Sequence, residues 1–355
     1  MSLFIPALTP NFDAALRDVT SDNVRARRAA ALRLVEPPEG RAYEAREALL
    51  ILADDKNAGI RELAVESLGF LGDAEALATI LERIDDAAPN VREAAVIAAT
   101  RFDDRRVDDA LEAALESSRP EVRFQAIMSY AERASSADAL ERLSVFLEDE
   151  DSEIRAQTAM ALGNSEPEAE RERAVELLRP LLEDPEPNPR KEAALALANF
   201  GDGSGAAILR ECLRDAERAI AAALALGKIR DKDSIPALAA IAQRPFASLH
   251  FRAAAGAALA ELSDPRGVAT LRKVLRAIRA DGRGFAAELA AERGLTELLP
   301  DIAQLLDRPR GADAVVIVRA VAGLSETSEE ARSVLQSAAE RTDEVGEAAR
   351  ELLEE

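Results

Sequence analysis

The sequence predicts an all-α protein, an α-α superhelix of about ten stacked helical hairpins, and three observations predict it. First, apolar residues make up 48% of the chain but aromatic ones only 3%, with no Trp, so the apolar content is mostly aliphatic. Ala and Leu are strong helix formers, whereas the β-branched and aromatic runs that mark strands are nearly absent. Second, one motif returns about every 32 residues, the scale of helical repeats. Third, each copy holds two apolar-periodic segments parted by a short polar turn, the pattern of paired amphipathic helices.

The motif is clearest from Leu147 to Gly163, where the acidic turn L-E-D-E-D-S-E runs into Ile154-Arg155 and an Ala-rich segment ends at Gly163. Anchored on the pair of an apolar residue and Arg, copies stand at Val24-Arg25, Ile60-Arg61, Val91-Arg92, Val122-Arg123 and Ile154-Arg155. It continues as Pro189-Arg190 and Phe251-Arg252, with a degenerate copy at Ala219 and weaker ones near Gly284, Val315 and Gly346. The Arg opens a helix whose inward face is spaced as Ile60, Ala64, Leu68 or as Ile154, Thr158, Leu162. Gly69, Gly163 and Gly227 follow the last periodic residue and read as helix stops. Turns such as Gly72-Asp73 and Gly201-Asp202 come next, then a second apolar segment such as A-L-A-T-I-L-E-R-I or S-I-P-A-L-A-A-I-A.

This pattern resembles the HEAT repeat, in the short subtype named after phycobilisome lyase subunits, over most of the chain, and implies a right-handed solenoid. The resemblance also implies that an Asp of the inter-helix turn pairs with the helix-opening Arg of a neighbouring unit. An Asp stands six residues before the Arg in four units: Asp55/Arg61, Asp86/Arg92, Asp149/Arg155 and Asp184/Arg190. Ser117 and Phe246 break the pattern before Arg123 and Arg252. Helix ends leave N–H groups without partners, and an Asp-Arg ladder satisfies them while pinning one repeat to the next. These carboxylates are therefore expected to be structural, not catalytic.

In chain order, residues 1–20 are expected to cap the array, with Phe4, Ile5 and Leu8 over its open end, since a terminal repeat has only one neighbour. Residues 21–325 form the repeats, most regular up to about 165. The polar connection around Ser165 and the proline-rich E-D-P-E-P-N-P-R at 183–190 stay within the array, because the period resumes after each. Residues 276–312 are irregular, with A-D-G-R-G-F and D-R-P-R-G as turn signals. The charged stretch 326–355 closes the array as a final repeat or cap, and no second domain is expected.

The formal net charge of −21 opposes nucleic acid, whose phosphates call for cations, and opposes anionic membrane surfaces. Arg25, Arg27 and Arg28 are the one dense basic cluster near a helix start. One cysteine, Cys212, excludes an intrachain disulfide and fits a reducing compartment. The first ten residues lack a signal peptide's basic region, and no apolar run suits a membrane span. A cytoplasmic, bacterial protein is expected.

The chemistry of sites is narrowed by His250, the sole histidine. A His-rich metal site is excluded, and a triad would have to use His250, which is expected to pack near a helix start while Cys212 fills a core position. The run Glu148 to Glu153 could be a cation site, but acids at a helix start also serve the dipole and the cap. G-D-G-S-G at 201–205 follows a helix and lacks the Lys of a phosphate loop. No cofactor and no enzymatic activity are expected.

In a HEAT array the second helix of each unit lines the concave face. Positions one and five after the Arg lie four apart and point away from the core. They give Glu62, Glu66 and Glu93 in the early units, then an apolar stripe of Ile97, Phe124, Met128, Met160, Leu195 and Leu224. The stripe is either a partner site or ordinary core covered by neighbouring helices. The expected function is a scaffold or adaptor that holds a protein or peptide segment in the groove, with basic character favoured by the acidic end. The alternatives are a lyase-type enzyme or subunit acting on a protein-bound tetrapyrrole, and a nucleic-acid-binding protein. No oligomeric state is read from the sequence.

Overall fold

The computed structural model describes residues 11–164, 170–244, 246–278, 282–307 and 313–354. The capping residues Phe4, Ile5 and Leu8, and Ser165, lie outside the described residues. Every regular element among the described residues is a helix. The chain divides into two compact units, Met1–Glu170 and Arg171–Glu355.

Unit 1 holds α1 (Phe12–Asp18), α2 (Val24–Leu34), α3 (Ala42–Ala53), α4 (Ala58–Leu71), α5 (Leu77–Glu82), α6 (Pro89–Ala99), α7 (Arg105–Leu115), α8 (Pro120–Arg133), α9 (Ser136–Leu143) and α10 (Ser152–Gly163). Unit 2 holds α11 (Arg171–Leu178), α12 (Pro187–Asn199), α13 (Ala206–Cys212), α14 (Ala219–Lys228), α15 (Ile235–Gln243), α16 (Leu249–Glu261), α17 (Arg266–Leu275), α18 (Arg283–Glu292), α19 (Leu299–Asp307), α20 (Ala314–Ser325), α21 (Glu329–Ala339) and α22 (Glu344–Glu354). Each odd-numbered helix folds back on the even-numbered one after it, giving a stack of hairpins in each unit. The irregular-looking stretch 276–312 contributes α18 and α19, so the hairpin pattern continues there.

The helix starts follow their capping chemistry. Asn57 and Asp151 accept from the N–H groups of Gly59 and Glu153 at the heads of α4 and α10. Proline begins α6, α8 and α12, where its missing N–H costs nothing. Ile60, Leu68, Val91, Ile127 and Ile154 are buried, and each such side chain contributes about 1.5–3 kcal/mol of transfer free energy.

Even-numbered helices pack directly on one another: α4 on α6, α6 on α8 and α8 on α10 in unit 1, α14 on α16 and α16 on α18 in unit 2. Odd-numbered neighbours meet at far fewer points. Small residues permit the close approach. A Cβ on Gly69 would fall 2.7 Å from the Ala98 Cβ, and one on Gly227 would fall 2.7 Å from the Ala258 Cα. These two glycines therefore lie inside α4 and α14 as contact points, not after them as stops. The stop of α4 is Gly72, left-handed at φ 68°, and α14 is closed by Arg230 at φ 56°. A stack that is tighter along one layer bends toward it, so the even-numbered helices line the inner face of each unit.

Candidate functional site

A ladder of arginines runs beside the inner face. Arg61 reaches back with Nη1 to the Asp55 carbonyl at 2.8 Å, and forward with Nε and Nη2 to the Asp86 carboxylate at 2.8 and 2.6 Å. Arg123 does the same, to the Ser117 carbonyl at 2.9 Å and to Asp149 at 3.1 and 2.9 Å. Each carboxylate also accepts the N–H two residues on, Ala88 for Asp86 and Asp151 for Asp149, both at 2.9 Å. One Asp thus caps its own turn and holds the arginine of the preceding repeat. Asp149, from the acidic run, is occupied in this way.

In the first repeat the ladder arginine is Arg27, two residues beyond the pair Val24-Arg25. Arg27 is buried, takes the Ser21 carbonyl at 2.7 Å and holds Asp55 at 2.5 and 3.0 Å. Arg25 and Val24 are exposed. The shift arises because Asn23 caps α2 and places the inward turn at Arg27. Of the basic cluster, Arg27 is thereby neutralised. Where Ser117 breaks the pattern, Arg92 holds Glu121 from the first turn of α8 instead, while its Nη1 takes the Asp86 carbonyl at 2.7 Å. Arg155 and Arg190 reach back to the carbonyls of Asp149 and Asp184 at 2.7 and 2.5 Å. Asp184 caps its turn through the Glu186 N–H at 2.9 Å, and the next rung is made by Lys191, whose Nζ donates to Asp215 at 2.7 Å.

The electrostatics follow from these bonds. The Lys191 bond, with the Glu217 N–H, lowers the Asp215 carboxyl from 3.8 to about 2. Its folded-state value lies below the unfolded one, so this stabilisation is complete above about pH 4 and is lost as the pH falls toward 2. Asp215→Asn is expected to cost about 1–2 kcal/mol at pH 7 in urea unfolding, and the gap to the wild type should close between pH 4 and 2.

The inner face of unit 1 carries a groove of about 380 Å³ over α6, α8 and α10. Its floor is apolar, made of Val96, Val122 and Ile154, all buried. Phe124 lines it and is 37% exposed, and Glu93, Glu121, Asp151 and Glu153 rim it. Glu121 is held by Arg92, and Asp151 caps α10. Beyond it on α4, Glu62 accepts from Asn90 Nδ2 at 2.6 Å, and burial together with the charge of Glu62 pushes the Glu66 carboxyl up.

The stripe residues fall in two places. In unit 1, Ile97 is 41% exposed one turn after Glu93, and Met128 and Met160 are half-buried on α8 and α10. In unit 2, Leu195 and Leu224 are half-buried against that unit's aliphatic core. The His250 ring lies 5.4 Å from the Phe285 ring. Cys212 is buried, and that burial pushes its thiol up. Among the described residues no group of acidic, His and Cys side chains could hold a metal, and no helix is long and apolar enough to cross a membrane.

Residues 10–100, 77–163 and 140–221 match the family model of HEAT repeats, and residues 219–244 and 251–277 match that of the PBS lyase HEAT-like repeat. No curated protein matches the chain. Among solved structures, it is similar to the complex of CpcE and CpcF of phycocyanin lyase from Nostoc sp. PCC7120, with 25% identity and a TM-score of 0.49 over 64% of this chain and 92% of that one. It is also similar to YibA of Escherichia coli, with 21% identity and a TM-score of 0.47 over 84% of this chain and 96% of that one. Similarity to Kap121p bound to Pho4p, with 13% identity and a TM-score of 0.46, spans 95% of this chain and 44% of that one.

Proposed function

The chain belongs to the HEAT-repeat family, and from that premise we propose that it is a protein-binding scaffold whose first unit seats a basic, partly apolar segment of a partner. The seat is the groove over α6, α8 and α10. One observation carries the reading: a half-exposed aromatic ring, Phe124, beside an apolar-floored recess rimmed by carboxylates. The floor takes an apolar anchor, the rim takes cations, and the net charge of −21 speeds encounter with a basic partner. Glu93 has no hydrogen-bond or ion-pair partner among the described residues and is the first site for a Lys or Arg of the partner. No bond-making step is assigned to the chain.

The test is a peptide array in which the number of Lys and Arg residues and the presence of one Leu or Phe anchor are varied. Binding is expected to need both features. Phe124→Ala should weaken the best peptide about tenfold to a hundredfold with an unchanged far-ultraviolet spectrum. Glu93→Lys should slow association and weaken its salt dependence. Equal binding of acidic peptides, or an unaffected Phe124→Ala variant, would remove the groove as the working surface.

A further inference from the structure

We propose that a cavity between α17, α18 and α19 of unit 2 binds a carboxylate, received by the buried guanidinium of Arg283. Arg283 opens α18 and is 1% exposed. Its Nη2 donates to the Ala277 carbonyl and to that of Ile278 at 2.8 Å, the backward reach made by the ladder arginines of the other repeats. The forward reach is missing: among the described residues, Nε and Nη1 have no hydrogen-bond partner.

At the rungs of unit 1 a carboxylate from 25 to 29 residues ahead supplies that partner, from Asp86 for Arg61 to Glu121 for Arg92. The same interval from Arg283 covers Arg308-Pro309-Arg310-Gly311-Ala312, which contains no carboxylate. The flanking carboxylates are engaged elsewhere: Asp307 is 80% exposed and pairs with Arg341 at 3.5 Å, and Asp313 caps α20 through the Val315 N–H. A buried cation with unmade hydrogen bonds is costly, and native proteins complete such groups with water, an ion or a ligand.

The cavity has the room and the charge for an anion. Its volume is about 70 Å³, several times what one water needs, and Arg276, Asp301 and Gln304 share its lining with Arg283. Asp301 is already engaged by Arg272 Nε at 3.1 Å and Arg276 Nε at 2.5 Å. Residues 265–310 carry nine Lys or Arg against six Asp or Glu, a cationic segment in a strongly acidic chain. Two arginines and one aspartate at the wall call for a single negative charge. Asp301 disfavours a dianion, so a monovalent carboxylate fits better than phosphate. A free small acid and an Asp or Glu side chain of a bound segment share this chemistry.

The test follows the thermal midpoint of the full chain at pH 7 and fixed ionic strength. The probes are sodium acetate and N-acetyl-aspartate amide, with sodium chloride and sodium phosphate as references. Wild type is expected to melt higher as either carboxylate is raised, and not with the references. Arg283→Met should stay folded, since an apolar replacement of a buried unpaired charge is tolerated, and should lose the response. Arg276→Gln should raise the half-saturating concentration about threefold, as expected for a partly exposed charge at the wall. Acetate acting alone identifies a free acid, and the blocked aspartate acting at lower concentration identifies a side chain. No carboxylate response in wild type, an equal response to chloride, or a response kept by Arg283→Met would overturn the site. Should Arg283→Met fail to fold, an unchanged response in Arg276→Gln overturns it.

Discussion

Asp86→Ala is expected to lower the unfolding free energy by about 2–3 kcal/mol, because it removes a buried carboxylate and leaves the partly exposed Arg61 without its counter-charge. The Asp86 side chain is only 4% exposed and accepts three bonds, two from Arg61 and one from the Ala88 N–H. Removing it unpairs the Arg61 guanidinium and uncaps the turn before α6, and the cap alone is worth about 1 kcal/mol. The Arg61 bond above all holds the Asp86 carboxyl below its ordinary range, so its contribution is present above the unfolded value near 3.8 and lost as the pH falls through the lowered one. Asp85→Ala is the control, since that side chain is 92% exposed and pairs only with Arg119 at 3.7 Å. It should change stability by less than about 0.5 kcal/mol. Urea unfolding followed by circular dichroism gives both values, and hydrogen exchange locates the loss at α4 and α6. Equal costs for the two variants would show that the ladder contributes no more than a surface ion pair.

Gly267→Ala is expected to cost about 3 kcal/mol through overpacking where α17 crosses α16. An added Cβ would stand 2.3 Å from the Ala260 nitrogen, 2.7 Å from the Gly256 oxygen and 2.8 Å from the Ala260 Cα. All three are backbone atoms, so no change of rotamer relieves the clash and the helices must separate. Gly203→Ala meets nothing within 4 Å and serves as the matched control, neutral or stabilising by up to about 1 kcal/mol. A thermal midpoint in Gly267→Ala as high as in Gly203→Ala would refute the close approach.

The hairpins were legible because each repeat states the same apolar spacing, as in Ile60, Ala64 and Leu68, and tertiary packing did not override it. The sequence also shows the Asp six residues before the Arg in four units, since both residues sit at a turn whose length is fixed. The first rung was harder. An apolar residue before an Arg selects Val24-Arg25, whereas the physical constraint is the distance to the next carboxylate, and Asp55 at 28 residues selects Arg27. Gly69 and Gly227 carry the letter of a helix stop, yet both stand eight positions after their anchors, where neighbouring helices touch. On the candidate site, the register placed Ile97 and Phe124 on the surface. It did not reveal that Leu195 and Leu224 pack partly on a core, because cover by another helix is a property of the neighbour. Glu121 as a substitute partner was hidden as well, since it reaches Arg92 from the first turn of a helix and not from the turn before it.

The unequal packing of the two helical layers makes each stack mechanically one-sided. Along the inner layer, Gly and Ala bring backbones into contact and the arginine ladder bolts each repeat to the next. Along the outer layer, neighbouring helices approach at few points and are tied by side chains, as α9 to α7 through Arg142 and Glu112 and α17 to α19 through Arg272 and Asp301. A load at the ends of such a stack spreads the outer helices like the ribs of a fan about a fixed spine. Groove width in unit 1 then changes by rotation at the spine, with each repeat kept as a rigid rib. Stiffness is set by the spine, so a substitution at Asp86 or Gly69 changes how far the fan opens even though neither residue lines the groove.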